Sequence, residues 1–111
     1  MRPVLLGLLL ALLPADGAAA TTTCGPHWTT GYVRSEYGPY TFDGTPISTD
    51  EPIAAAGWDI PLDSQVWVEG LGSYRVADRG HLAPGQIDVA VWSRAEAYQA
   101  TGFRQACVSP P

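Results

Sequence analysis

The chain contains no lysine, and its six arginines face eleven acidic residues, which leaves a net charge of −5. Proteins that bind nucleic acid or anionic membrane surfaces use clusters of basic side chains to neutralise phosphates. An acidic chain without lysine therefore argues against both kinds of partner. It is compatible with a neutral or zwitterionic substrate such as a glycan.

Cysteine is also scarce, with only Cys24 and Cys107, one near each end of the chain after its first 20 residues. In an oxidising compartment such a pair predicts one disulfide. Because it closes nearly the whole domain, the chain-entropy estimate of its stabilisation is about 4 kcal/mol. A metal site that uses Cys24 and His27 is the alternative, but too few further ligand-type residues lie nearby. We expect neither a metal nor a cofactor.

Long apolar runs are absent after residue 20. Before that point, Met1-Arg2 is followed by an apolar run over 4–13, and Ala18-Ala19-Ala20 offers a small-residue cleavage site. This pattern predicts a secretory signal peptide over 1–20 rather than a membrane span. We expect an exported protein, secreted, periplasmic or associated with the cell envelope, that has no membrane segment after cleavage.

The sequence lacks a Ser/His/Asp nucleophile motif, a phosphate-binding loop and a partnered nucleophilic cysteine. What it has instead is Asp78 and Asp88, each at an apolar run, with a Gly/Pro-rich loop between them. A carboxylate in an apolar strand is costly unless it is paired, hydrogen-bonded or protonated. Two of them in one cleft raise the proton affinity of one, as acid–base chemistry requires. The alternative is structural: Asp78 caps a turn and pairs with Arg79, and Asp88 accepts backbone N–H bonds.

The remaining pattern predicts an all-β domain with one short helix. β-prone segments occur at 29–34, 53–56, 65–69, 73–77, 87–91 and 103–108, with a lead-in containing Cys24 over 21–28 and a tail over 109–111. Ser93 and Glu96 form a capping box for a helix that runs to about Thr101, and Gly102 ends it. Closely spaced strands favour a small closed barrel, because closure removes exposed edges.

The order of motifs resembles the 3D (three-Asp) domain family, a six-stranded double-psi β-barrel of secreted cell-wall proteins and of A-type lytic transglycosylases. The resemblance spans 29–108. It is carried by segments Thr30-Gly31-Tyr32, Thr41-Phe42-Asp43-Gly44-Thr45, Ile60-Pro61-Leu62, Val76-Ala77-Asp78-Arg79-Gly80, Ile87-Asp88-Val89 and 97–108. The Asp-Arg-Gly form at Asp78 also resembles rare-lipoprotein-A and barwin-like barrels.

The resemblance implies an enzyme that cleaves β-1,4 glycosyl bonds of peptidoglycan, with Asp88 as the acid/base and Asp78 as its helper. Two positions depart from the family pattern. The first family aspartate is Ala56 here, and Asp59 is the candidate replacement from a shifted place in the turn. The family glycine after Ile-Pro-Leu is Asp63, which tolerates a positive φ better than most residues.

Sugar binding is expected from Tyr40, Thr41 and Trp58, the first two in the long loop over 35–50. That loop's aromatics either line a groove or pack over the barrel. Core packing is the first expectation for Trp58, Trp67 and Trp92, although Trp58 is also placed to stack on a sugar ring. We expect Arg79 to pair with a surface carboxylate and His81 to be exposed. A monomeric, non-catalytic glycan-binding or wall-loosening module, or a purely structural exported barrel, are the alternatives to a monomeric enzyme.

Overall fold

A computed structural model describes residues 21–111, so the signal peptide expected over 1–20 lies outside the described residues. The described part is a barrel of short strands with one α-helix. The elements are β1 (Thr23–Val33), β2 (Ile53–Ala56), β3 (Gln65–Val68), β4 (Gly72–Arg79), β5 (Ile87–Val91), α1 (Arg94–Ala100) and β6 (Gly102–Ser109). A single 3-10 turn, Arg34–Glu36, follows β1.

The six strands form one closed barrel in the order β1-β5-β2-β4-β3-β6, which confirms the expected all-β architecture. Strands β1 and β5 pair in parallel, as do β2 and β4. The other four pairings are antiparallel. Within residues 21–111, no helix is long and apolar enough to cross a membrane.

Strand β1 is longer than the sequence pattern indicates. It begins at Thr23 and not at residue 29, because residues 23–29, most of the expected lead-in, pair antiparallel with β6. Cys24 and Cys107 lie directly opposite each other in this pairing and form the expected disulfide. The disulfide therefore joins the first and last strands of the barrel.

Strand β2 is buried on both faces, because successive side chains of a strand point to opposite sides. Ala54 and Ala56 belong to the apolar core inside the barrel. Ile53 and Ala55 belong to a second apolar cluster on the opposite side of the sheet. The interior core comprises Ala54, Ala56, Ile60, Val66, Val68, Val76, Ile87, Val89, Ala100 and Ala106. The second cluster comprises Tyr32, Ile47, Ile53, Ala55, Ala77 and Ala90.

Helix α1 begins as the capping box predicts. Ser93 Oγ accepts a hydrogen bond from the Glu96 N–H at 3.2 Å, and Glu96 Oε1 accepts one from the Trp92 N–H at 2.7 Å. Thr101 caps the C-terminal end, and Gly102 follows with φ +148°. The helix lies directly on β1, since a Cβ added to Gly31 would stand 2.8 Å from Ala97 Cα. The helix is thus fixed at both its cap and its packing face.

One arginine fastens the long loop to the barrel. Arg75 on β4 forms ion pairs with Asp43 at 2.8 Å, Glu51 at 2.6 Å and Asp63 at 2.9 Å. Asp63 takes the left-handed backbone conformation, with φ +68°, at the position where the family pattern has glycine.

The expectation of core packing for three tryptophans is wrong. Trp58, Trp67 and Trp92 are 74%, 45% and 54% exposed. The barrel interior is filled by Ala, Val and Ile side chains, which leaves no space for an indole. The guanidinium of Arg34 lies over the Trp92 ring, 4.6 Å from its centroid. These rings are therefore surface features.

Candidate active site

Four residues form a row across four neighbouring strands on the outer side of the barrel. In the strand register, Thr30 of β1 stands beside Asp88 of β5, Asp88 beside Ala55 of β2, and Ala55 beside Asp78 of β4. At the usual strand spacing, the Cα atoms of the two aspartates are roughly 9–10 Å apart. Only the Ala55 methyl group lies between them in the row, so the two carboxyl groups share one open space.

An irregularity in β4 brings Asp78 into this row. Ala54 pairs with Val76 and Ala55 pairs with Asp78, so Ala77 is an extra residue in β4. Such a bulge re-aims the side chains that follow it. Val76 packs in the interior core, Ala77 packs in the second cluster, and Asp78 lines the space beside Ala55. A regular strand would have sent Ala77 and Asp78 to opposite faces.

The space between the aspartates is a cleft of about 230 Å³. We call it the carboxylate cleft. Its lining consists of Tyr32, Tyr37, Ala55, Asp78, Arg79, Gly80, His81, Leu82 and Asp88. The structure thus brings together the two aspartates that the sequence singled out, at one surface-accessible site.

Asp88 is half-buried and holds one strong hydrogen bond. Burial raises the pKa of its carboxyl group, the hydrogen bond from the Thr30 hydroxyl lowers it, and the charge of Asp78 raises it, with a net upward shift. The Thr30 Oγ1–Asp88 Oδ1 distance is 2.8 Å. A carboxyl group with a raised pKa keeps its proton to higher pH and can act as an acid.

Asp78 is held in place by the backbone. Its Oδ1 accepts hydrogen bonds from the N–H groups of Phe42 and Arg79, both at 2.9 Å. The Tyr32 hydroxyl lies 3.5 Å from Oδ2. Burial and the charges of Asp78 and Asp88 raise the pKa of Tyr32, so this phenol stays protonated beside the two carboxyl groups. The long loop reaches the site through the Phe42 N–H.

The guanidinium of Arg79 points away from the aspartates, and its expected surface ion pair is not formed. It donates to the carbonyls of Gly57, at 2.7 Å, and Ile60, and it lies 4.8 Å from the Trp58 ring centroid. Among the described residues, neither Asp78 nor Asp88 takes part in an ion pair. Arg79, the cation next to Asp78 in the sequence, therefore does not cancel the effect of burial on Asp88.

A larger neighbouring hollow of about 580 Å³ shares residues 79–82 with the carboxylate cleft. Asp59 and Trp58 line it. Asp59 Oδ2 accepts a hydrogen bond from the Gly85 N–H at 2.8 Å, and Asp59 is absent from the lining of the carboxylate cleft. Asp59, the expected replacement for the first aspartate of the family pattern, thus stands in a different hollow, where it binds the backbone of the 80–86 loop.

The position of the missing aspartate, Ala56, is fully buried in the interior core. It stands on the opposite face of β2 from Ala55. A third carboxylate from this position would enter the barrel interior, and in this chain the carboxylate cleft has two aspartates only.

Of the three expected sugar-binding residues, only Trp58 lies beside the site. Its exposed ring meets Phe42 edge-on at 5.5 Å, with the guanidinium of Arg79 against it. Tyr40 is 65% exposed but lines neither hollow. Thr41 is buried, and its hydroxyl donates to Asp43 Oδ1 at 2.7 Å and accepts from the Thr45 N–H at 3.1 Å. Thr41 therefore shapes the loop.

Sequence reasoning missed Tyr32, which lines the cleft, and two residues that are hydrogen-bonded beside it. Thr30 and Tyr32 were noted only as a motif, and Gln86, whose Nε2 donates to Thr30 Oγ1 at 3.1 Å, was not considered. Their common signal is the alternation of β1, which places Thr30 and Tyr32 on one face. The parallel register that sets this face beside Asp88 involves residues 58 positions apart and has no local signal.

His81 is exposed, as expected, and lines both hollows. His27 lies elsewhere, with Nδ1 2.6 Å from the Gly85 carbonyl oxygen. Within residues 21–111, no group of three or more His, Cys, Asp or Glu side chains is arranged to hold a metal ion.

Comparison of the chain with protein-family models, curated proteins and solved structures found no match.

Proposed function

We propose that this protein is a glycan-cleaving enzyme that acts on β-1,4 glycosyl bonds of peptidoglycan in the manner of a lytic transglycosylase. The observation that carries the proposal is the pair of aspartates that share one cleft without an ion pair among the described residues, with the pKa of Asp88 raised by burial. The resemblance to the 3D domain family supplies the substrate class. The acidic chain is compatible with a substrate that is not a polyanion.

In the proposed reaction, protonated Asp88 donates its proton to the glycosidic oxygen as the bond from that oxygen to C1 breaks. The Asp88 carboxylate then takes the proton of the 6-hydroxyl of the same sugar while that oxygen bonds to C1. The products are a free 4-hydroxyl and a 1,6-anhydro sugar, and Asp88 recovers its proton. No water is consumed, so one acid/base suffices, whereas hydrolysis uses two placed carboxyl groups.

Asp78 and Tyr32 assist the proposed reaction without exchanging protons with the substrate. The negative charge of Asp78 stabilises the positive charge that develops on the sugar ring in an oxocarbenium-like transition state. Its two backbone N–H contacts keep it in place, so little reorganisation is needed. The Tyr32 hydroxyl serves as a hydrogen-bond donor at the cleft wall.

Trp58 provides a stacking surface next to the cleft in the same proposal. The guanidinium of Arg79 packs against the indole ring of Trp58 and is itself held by two backbone carbonyls. This contact fixes the ring, most of which is exposed. A rigid, exposed aromatic ring can bind the apolar face of a pyranose at low entropic cost.

The test is release of anhydro-muropeptides from purified sacculi. Wild-type protein should release them, and Asp88→Asn should lower the rate by at least about 100-fold, as expected for loss of a general acid/base. Asp50→Asn, in the exposed part of the long loop, is the matched control and should retain the wild-type rate. Equal release by wild type and Asp88→Asn would remove Asp88 from the mechanism.

A non-catalytic glycan-binding or wall-loosening module is the second candidate, and the position of Ala56 favours it, since the first aspartate of the family pattern has no counterpart in the cleft. This candidate predicts that wild type and Asp88→Asn bind sacculi equally and release no product. It also predicts that Trp58→Ala weakens binding. A pull-down with sacculi, scored alongside product release, separates the two candidates.

A further inference from the structure

The side chain of Gln86 connects the 80–86 loop to the proposed acid. Its Oε1 accepts a hydrogen bond from the Ala83 N–H at 3.0 Å, and its Nε2 donates to Thr30 Oγ1 at 3.1 Å. Thr30 Oγ1 is in turn 2.8 Å from Asp88 Oδ1. Ala83, Gln86, Thr30 and Asp88 thus form one continuous chain of hydrogen bonds.

The direction of this chain is fixed by chemistry. A backbone N–H can only donate, so the atom of Gln86 that faces Ala83 must be its oxygen, and the amide nitrogen must face Thr30. The Thr30 hydroxyl then accepts from Gln86 and has its single proton free for Asp88 Oδ1. All donors in the chain point towards Asp88.

We propose that Gln86 is a positioning residue for Asp88: it directs the Thr30 hydroxyl proton to Oδ1, so that the proton carried by Asp88 resides on Oδ2. Oδ2 has no hydrogen-bond partner among residues 21–111. The inference rests on the proposed function in that Oδ2 is then the oxygen that faces the glycosidic bond. It adds a residue and an oxygen assignment that the resemblance does not supply.

Other charged and titratable groups lie near Asp88. Asp78 and Tyr32 face it from β4 and β1, and Arg79 and His81 stand in the lining of the same cleft. None of them contacts Oδ1 or the Thr30 hydroxyl. Substitution of Thr30 or Gln86 therefore changes the hydrogen-bond chain while leaving these charges in place.

The test is a carboxyl ¹³C NMR titration of Asp88 in the full exported chain and in variants. Thr30→Val, which keeps the shape and removes the donor, should move the Asp88 midpoint up by about one pH unit, because a hydrogen bond to a charged group favours the ionised form. Gln86→Met should move it up by less, since the hydroxyl remains but is no longer directed. Thr30→Ser and the exposed Gln65→Met are controls and should titrate as wild type.

An unchanged Asp88 midpoint in Gln86→Met, with an amide spectrum that matches the folded wild type, would overturn the proposal. So would an unchanged midpoint in Thr30→Val. If the protein cleaves glycan, the alkaline limb of its pH–rate profile should move to higher pH in the variants, in the same order as their Asp88 titration midpoints. Failure of wild type to release product would count against the proposed function alone, because the titration needs no substrate.

Discussion

Strand β4 takes part in two carboxylate sites, one at Arg75 and one at Asp78, and they differ in whether the carboxyl groups are paired with a cation. At Arg75, three carboxylates surround one guanidinium. At Asp78, two carboxyl groups share a cleft without an ion pair among the described residues. The same strand thus supports an ion-paired site that holds the long loop and a cleft in which two carboxyl groups lie without an ion pair.

The two sites shift pKa values in opposite directions. Hydrogen bonding to Arg75 lowers the pKa of Glu51, and for Asp43 the hydrogen bonds from Thr45, Thr41 and Arg75 outweigh burial and hold the pKa well below its usual range. Burial raises the pKa of Asp88, and no cation offsets it. The balance between donors and burial therefore sets the direction of the pKa shift: hydroxyl groups and Arg75 lower it at Asp43 and Glu51, whereas burial and a second carboxylate raise it at Asp88.

The largest expected effect comes from removing that guanidinium. Arg75→Met leaves three carboxylates facing each other and should lower the free energy of unfolding by about 2 kcal/mol, less than for a buried pair because Glu51 and Asp63 are partly exposed. Urea denaturation at pH 7 measures it. Arg94→Met is the control: Arg94 is 74% exposed in its pair with Glu36, and its loss should change stability by under about 0.5 kcal/mol. A similar loss in both variants would contradict the comparison.

The pH dependence of stability should differ in sign between the sites. Asp43 and Glu51 have folded-state pKa values below their unfolded values, so their stabilisation is present above about pH 4 and is lost as pH falls through the folded values. Asp88 has a raised folded-state pKa, so its contribution is present below about pH 4 and is lost as pH rises through the folded value.

Urea unfolding between pH 3 and pH 8 separates these contributions. Asp88→Asn should gain stability relative to wild type as pH rises towards 7. Arg75→Met should show a weaker loss of stability on acidification than wild type. Parallel pH curves for wild type and Asp88→Asn would mean that burial does not perturb this carboxyl group.

A smaller effect is expected from adding a cation to the carboxylate cleft. His81→Lys places an ammonium at an exposed position in the cleft lining. A nearby positive charge favours the ionised carboxylate, so the midpoint of the Asp88 NMR titration should move to lower pH. The alkaline limb of any pH–rate profile should move to lower pH with it. His81→Gln is the uncharged control. A midpoint that stays the same in both variants would show that residue 81 lies too far from Asp88 to act on it.

The smallest effect is expected at Asp63. Its side chain is 64% exposed, and its ion pair with Arg75 is one of three. Asp63→Asn keeps a residue that tolerates the positive φ and removes only the charge, so unfolding free energy should change by less than about 0.5 kcal/mol. Asp63→Val, which does not tolerate that conformation, should cost more. Equal losses in urea denaturation would indicate that the charge, and not the backbone, matters there.

Much of the fold could be predicted because its signals are local. The run Ile53–Ala56, the run Ile87–Val91 and the capping box at Ser93 identify their elements with the observed bounds or within a residue of them. The length of β1 could not be predicted in this way. Residues 23–28 are extended because β6 pairs with them, and Pro26 and Gly25 carry no strand propensity of their own.

The candidate site could be predicted only in part. Asp78 and Asp88 stand out because a carboxylate within an apolar run needs an explanation. The contacts that give them their character come from distant segments: Phe42 to Asp78 and Thr30 to Asp88. The predicted partner of Arg79, a surface carboxylate, is wrong, because Arg79 donates to the carbonyls of the 57–60 turn instead. No pattern in the sequence places that turn beside β4.

Local sequence patterns were enough to predict the strands other than the first half of β1, the helix cap, the disulfide and the two aspartates of interest. Hydrophobic alternation, capping chemistry and side-chain identity act over a few residues. Folding of the whole barrel was needed to place Thr30 and Gln86 on one side of Asp88 and Asp78 beyond Ala55 on the other, and to direct Arg79 to backbone carbonyls. Those outcomes depend on parallel strand register and on one bulge, which are set by how the closed barrel packs as a whole.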